Sequence, residues 1–467
     1  MAFEATRAQR PVLVPTPASS QMQPDRARLS RDVLGLAVPA IGEQLLFTVV
    51  QMAALMIVGH LGANAIASVG VSNQLHWLFQ SSFWAFSAGT TTLVARFTGS
   101  NEPLHAESAV RQAVMVSLGV CVVVSSVGFA FAPGILSLMG TEGEVLTHAL
   151  VYLRMAFVAS VFQSMGMCFA AALRGAGDTR TPFKVGGLGA LINVSLIWLL
   201  VSGRLGLPSL GIAGVGVGLI VSQLVVASTY LLILSGSKFK VKFSLMSRFT
   251  LDPSMIRRLL SVGIPAAIEQ LLMSFGMTVF TRLVISLGTV HYASHQVCVN
   301  ITSVSFMTGF GFSMAATALV GQSLGRKDPD LAQKYALTTS KIGVGIMTLL
   351  GAIFFLFGGN LVSLYSADPE IISMGAMILK YAAFAQPAMA FYSIMSGALR
   401  GAGDTRYPLY ITFAGMWTLR IGSAHLLVQI LGMGLAGVWI AVNADQWVRT
   451  ALVYLRFRTG RWKDIKV

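Results

Sequence analysis

Three carboxylates fall inside long apolar stretches of the chain, Glu43, Glu269 and Asp445. A carboxylate deep in hydrocarbon costs about 2.5–3.5 kcal/mol on insertion scales, so each of these residues must be paired or must serve a function. Glu43 lies twelve residues beyond Arg31, about 18 Å along a helix, and Glu269 lies eleven beyond Arg258, which predicts a shared depth near the membrane midplane. Each follows a proline by four residues, Pro39 and Pro265, and a proline inside a helix is expected to bend it and free a carbonyl beside the acid. A carboxylate with spare carbonyls can bind sodium, and a desolvated carboxyl titrating near neutrality can carry a proton. Glu269 and Glu43 are therefore the candidate cation-coupling residues. The competing reading is that they hold helices together by hydrogen bonds.

Asp445 differs because Arg420 and Arg449 are both within expected reach, Arg449 one helical turn further along the same span. A buried ion pair is expected, either structural or linked to a substrate or cation. Polar side chains within spans must find partners or water, which makes Gln74, Asn193, His295, Gln296, Asn300, Gln386 and Tyr392 candidates to line a cleft. Trp84, Phe83, Phe86 and Phe384, with the Met residues, could offer flat and adaptable contacts to an organic ligand, although such aromatics more often form core. His291 and His295 sit one turn apart, but no acid accompanies them, and no metal site is expected. Cys121, Cys168 and Cys298 lie inside predicted spans without CxxC spacing and read as small core residues.

The elements that position these residues are written twice. Leu173 to Arg180 and Leu399 to Arg406 both read LRGAGDTR, 226 residues apart, and the same offset carries Pro39 and Glu43 onto Pro265 and Glu269. The register also maps Leu61-Gly62 onto Leu287-Gly288 and Gly99 onto Gly325, and slips only near the end of the second copy. Such internal duplication fixes the architecture before any single motif is weighed. In the repeated string, Gly175, Gly177, Gly401 and Gly403 allow sharp turns between helices, Thr181 is expected to cap the next helix, and Arg174 and Arg180 are expected to anchor the loop at the cytoplasmic surface with Asp178 offsetting their charge, Arg400 and Asp404 being the hinge-loop counterparts in the second copy. A structural hinge is the main reading and a gating latch the second; nucleotide binding at the glycines is set aside.

With 55% hydrophobic and 11% charged residues, the composition excludes a soluble domain. Twelve apolar stretches long enough to span a bilayer can be counted, six in each copy, and an unsatisfied backbone in hydrocarbon demands that they be helices. An even number of spans per copy gives both copies the same orientation. The fold class is therefore an all-α integral membrane protein of twelve transmembrane helices in two pseudo-symmetric, parallel six-helix bundles. The expected organisation is a disordered tail over 1–30, one lobe over 31–236, a basic linker over 237–257, a second lobe over 258–457 and a short tail over 458–467. Nearly all loop Lys and Arg fall on one face, with Arg204 alone in the opposite loops, so both termini are expected in the cytoplasm, with the chain in a plasma (bacterial inner) membrane. The net charge of +15 is spread along that face, against the lipid bilayer, and nucleic-acid binding is rejected.

Taken together, the doubled LRGAGDTR-x-Pro loops, Gly59-His60-Leu61-Gly62, the two Pro-x-x-x-Glu sequences and the ending Gly437-Val438-Trp439 to Arg461-Trp462 resemble the multidrug and toxic compound extrusion (MATE) transporters over nearly the whole chain after its tail. The resemblance implies a two-lobed exporter, not an enzyme, that exchanges organic cations or amphipathic drugs for inward protons or sodium by alternating access. It implies no cofactor beyond the coupling ion, a small organic substrate, and a monomer. The chain departs from the family where Ala54 and Ile197 replace acids found in many members, and where the tenth span offers Lys380 and Gln386 but no carboxylate. A flippase or exporter of a lipid-linked or other metabolite is the alternative, and it should show an arginine-rich cleft, for which Arg154, Arg282, Lys380 and Arg420 are the candidates. A channel or receptor is the third class, and no filter sequence supports it.

Overall fold

A computed structural model describes residues 26–81, 83–203, 206, 208–236 and 251–465. The expected tail and linker fall largely outside these residues, including Lys238, Lys240, Lys242 and Arg248, as does Arg204. Regular structure among the described residues is entirely helical. The first copy contains α1 (Arg26–Gly59), α2 (Ala63–Ser81), α3 (Trp84–Gly99), α4 (Pro103–Leu138), α5 (Gly143–Gly175), α6 (Arg180–Ser202) and α7 (Ile212–Ser235). The second contains α8 (Pro253–Ile285), α9 (Thr289–Gly325), α10 (Pro329–Ser363), α11 (Pro369–Gly401), α12 and α13 (Gly434–Arg458). The helical run α12 begins as Arg406–Phe413, passes through a π-helix at Ala414–Ile421 and an α-turn at Gly422–His425, and ends in a second π-helix at Leu426–Ile430.

Because α2 and α3 share one span, the thirteen helices make twelve crossings. Their counterpart α9 runs unbroken for 37 residues. Eight helices, α1 and α4 to α10, are long and apolar enough to cross a membrane by length and composition alone. The remaining crossings are the α2/α3 pair, α11 with Lys380, the π-helical α12 with Arg420, and α13 with Asp445 and Arg449. Charge and irregular backbone are thus concentrated in the second lobe.

Local sequence explains where several helices start. Asp252-Pro253, Asp328-Pro329 and Asp368-Pro369 open α8, α10 and α11; each aspartate accepts from a first-turn amide, at 2.9 Å from Ser254 N, 2.8 Å from Leu331 N and 2.9 Å from Glu370 N. Proline suits the first turn because its missing N–H has no helical partner there. The Ser254 hydroxyl, and then the Met255 amide, hold the Asp252 carboxyl below its usual range. At the other end of the chain, Trp462 is buried, stacks on Phe457 at 4.9 Å and donates to the Phe457 carbonyl at 2.9 Å. The short helical turn Arg461–Asp464 is therefore packed down through Trp462, and Arg26 is already helical, five residues before the expected start of the first lobe.

The lobes meet where α3 and α9 end. A Cβ placed on Gly99 would overlap the Gln322 backbone, and one on Gly325 would overlap that of Arg96, a symmetric crossing that only glycine permits. Higher in the same seam, Gly89 abuts the Leu259 carbonyl and Gly263 the Ala85 carbonyl. Close backbone approach through small residues is how helices associate when lipid competes for every apolar contact. The crossing lies on the face that carries the basic loops.

Candidate functional site

Both glutamates are met by arginines of the repeated string. Arg174 Nη1 donates to Glu43 Oε1 at 3.0 Å and Oε2 at 3.3 Å, and Arg400 Nη1 stands 3.5 Å from Glu269 Oε2. Of the two expected surface anchors, Arg180 is exposed, whereas Arg174 is buried and that half of the expectation is corrected. Because α5 and α11 continue through Gly175 and Gly401, these arginines sit in a last helical turn facing α1 and α8, and a carboxylate compensates each guanidinium. Arg180 and Arg406, which follow the loops, are exposed. Glu43 and Glu269 fall at the middle of α1 and α8.

The two pairs are related by symmetry but unequal. Glu269 Oε1 accepts from the Thr412 hydroxyl at 3.0 Å, and Thr412 lies 2.7 Å from the Tyr392 hydroxyl. Glu269 Oε2 has no hydrogen-bond partner although it is buried. Glu43 is held by hydrogen bonds through both oxygens, so the second-lobe acid is the one left under-satisfied.

The loops themselves share backbone geometry, with Gly177 and Gly403 at φ of 89° and 88°. A left-handed φ favours glycine, which accounts for the residue in both copies. The aspartates diverge. Asp178 accepts from the amides of Arg180 and Thr181, both at 3.0 Å, and from the Thr181 hydroxyl at 2.6 Å, so Asp178 rather than Thr181 caps α6. Asp404 instead accepts from Arg456 Nε at 2.7 Å. Each loop is also gripped by the opposite lobe. Gln322 Nε2 donates to the Gly175 carbonyl at 2.8 Å, Arg96 Nη2 to the Ala402 carbonyl at 2.9 Å, and Thr92 Oγ1 to the Arg400 carbonyl at 3.0 Å.

Asp445 lies between two arginines, with Arg420 Nη2 at 2.8 Å and Arg449 Nε at 2.5 Å. The π-helical stretch of α12 carries Arg420, and the extra residue in its turns resets which face that side chain occupies. Gly415 makes the room, since a Cβ there would overlap Arg449 Nε and Asp445 Oδ1. Arg449 Nη2 is buried without a hydrogen-bond partner.

Between the lobes, above the glycine crossing, lies a cavity of about 190 Å³. Its walls include Trp84, Thr91 and Thr92 from the first lobe, Met273, Phe306, Phe310 and Tyr392 from the second, and the charged groups Arg174, Glu269, Arg400 and Arg449. Trp84 and Phe310 meet edge to face at 5.3 Å. Among the sequence candidates for a cleft, Tyr392 lines this cavity and the others do not. Gln74, Gln296 and Asn300 are exposed; Asn193 donates to Ser222 at 3.2 Å; Gln386 accepts from Ser305 at 2.5 Å; and His295 packs between Phe280 and Trp439. Trp84 lines the cavity as well, whereas Phe83 and Phe86 belong to the first-lobe core and Phe384 is exposed. The cleft arginines are also different ones. Arg154 lies over the Phe129 ring and Lys380 over that of Phe355, and it is Arg174, Arg400 and Arg449 that face the cavity.

Residue type alone does not say which helix face a glutamine occupies, and Thr412, Gln446 and Met273 carried no signal that would have singled them out. For the arginines a signal existed: each acid has an arginine 131 residues later, in both copies.

The MatE family pattern matches residues 39–199 and 265–426, one block in each lobe. The chain is 32% identical over 437 residues to the probable multidrug resistance protein NorM of Thermotoga maritima, covering 93% of each chain. It is 29% identical over 443 residues to the multidrug resistance protein MdtK of Yersinia pseudotuberculosis, covering 92% of this chain and 95% of that one. Among solved structures it superposes on the outward-facing conformation of a multidrug resistance MATE family transporter with a TM-score of 0.87 at 22% identity, covering 94% of this chain and 97% of the other.

Proposed function

Because the chain belongs to the MATE family of membrane transporters, we propose that it is a secondary exporter that moves small amphipathic organic compounds out of the cell in exchange for protons or sodium. Glu269 carries the reading: a buried carboxylate with an unpartnered oxygen, in the wall of a cavity shared by two lobes. The basic face is taken as cytoplasmic by the positive-inside rule, with both termini on that side of a plasma membrane. The glycine crossing then closes the cytoplasmic end. Each chain contains a complete cavity, in keeping with a monomer.

Arg400 gives the proposed coupling a physical route. Its guanidinium faces Glu269 while its carbonyl accepts from Thr92 of the other lobe. A proton or sodium ion on Glu269 weakens the attraction that holds Arg400 in place, and the change is delivered at the seam. When the seam opens and the far side closes, the cavity exchanges faces around its cargo, the rocking motion expected of paired bundles. The loops thereby act as a latch, while Glu43, held through both oxygens, supports the first lobe.

The alternative, flipping or export of a lipid-linked or other metabolite, draws support from the three cavity arginines. Two of them already face glutamates, which leaves little for a pyrophosphate. The test is cargo movement in proteoliposomes with proton and sodium gradients imposed separately. Movement driven by one gradient is expected, and movement indifferent to both contradicts antiport.

A further inference from the structure

The carboxylates and guanidiniums around the cavity do not balance. Arg174, Arg400, Arg420 and Arg449 face Glu43, Glu269 and Asp445, and the surplus positive charge lies in the Asp445 group, where one carboxylate serves two arginines. Arg449 lines the cavity, is 1% exposed, and keeps Nη2 without a hydrogen-bond partner. A buried guanidinium hydrogen unpaired in a low-dielectric wall is costly, and an anionic oxygen is the acceptor that best offsets it. Glu269 is already matched in charge by Arg400, 3.5 Å from its free oxygen, so the uncompensated charge on this wall is positive rather than negative.

We propose that the cargo of this cavity is an amphipathic organic monoanion, an aromatic or apolar body bearing one carboxylate that docks on Arg449. This rests on the exporter reading and departs from the organic cations that the family resemblance implied. The body lies against Trp84, Phe306, Phe310 and Met273, which supply apolar surface and ring edges for a flat group. One carboxylate cancels the surplus of one charge, whereas a pyrophosphate would overshoot it. At about 190 Å³ the cavity is below the roughly 300–1,000 Å³ usual for drug-sized ligands, which selects a small body.

Three probes of one shape test this in detergent, without any gradient: 1-naphthoate, the neutral 1-naphthamide and the cationic 1-naphthamidinium, each titrated by calorimetry. The naphthoate is expected to bind roughly tenfold to hundredfold more tightly than the amide, the range for a hydrogen bond to a charged group. Arg449→Gln should abolish that preference, and Arg449→Lys, which keeps the charge and guards against a merely misfolded variant, should retain most of it. Cation binding as tight as naphthoate binding in the unaltered protein overturns the proposal, as does a naphthoate preference that survives Arg449→Gln. Naphthoate that binds through Arg449 but is moved by neither gradient in proteoliposomes leaves the monoanion site on Arg449 standing and refutes the exporter reading.

Discussion

Arg400 stands 3.5 Å from Glu269 and offers its own carbonyl to Thr92 of the opposite lobe, so a single residue touches both the under-satisfied carboxylate and the seam that closes one end of the protein. Its symmetry mate Arg174 is bound more tightly, at 3.0 Å from Glu43, and its loop is gripped through Gly175 by Gln322. Duplication supplied both arrangements. The second copy has the one that can change.

The two glutamates are therefore expected to fail differently. Glu43→Gln removes the partner of a buried arginine and should lower stability by roughly 1–3 kcal/mol while leaving coupled transport measurable. Thermal unfolding in detergent, paired with transport by the surviving protein, separates the effects; an intact melting temperature with lost coupling would reverse the assignment.

Asp445→Asn should be among the most destabilising single changes, by about 3–5 kcal/mol, because it strands two buried guanidiniums. Gly415→Ala should perturb the same group from the other side, since the added methyl collides with Arg449 and Asp445. Recovery of folded protein from membranes and its melting temperature report both.

Gly325→Leu should pry open the basic face, because a side chain at that position meets the Arg96 backbone. Spin labels at Asn101 and Lys327, which follow the crossing on either lobe, should move apart in the variant. An unchanged distance would mean that the crossing is not the closing contact.

Trp462→Ala should cost about 3–5 kcal/mol, the range for removing a large aromatic from a core, although the residue lies near the end of the chain. Chemical unfolding that leaves the rest of the fold undisturbed at this cost is the expected result.

Much of the architecture was legible in the sequence because it rests on composition and repetition: the twelve crossings, the two copies and the Asp445 group all follow from hydropathy, offset and charge. The inward turn of Arg174 and Arg400 was hidden, since a glycine-rich string reads as a surface loop and the compensating acids lie 131 residues away. The π-helical phase of α12 was hidden too, because a 3.6-residue period cannot anticipate an extra residue per turn. Gln74, Gln296 and Asn300 show the limit of reasoning from residue type, since polarity inside a span says that a partner or water is needed but not on which face.

The central claim is that Glu269 links ion movement to cargo movement. Its most direct test is cargo-dependent ion flux in proteoliposomes bearing the unaltered protein or Glu269→Gln, with cargo binding measured on the same preparations. The account predicts that the variant binds cargo and that its cargo-dependent ion flux disappears. Undiminished exchange of cargo for protons or sodium in Glu269→Gln would contradict it.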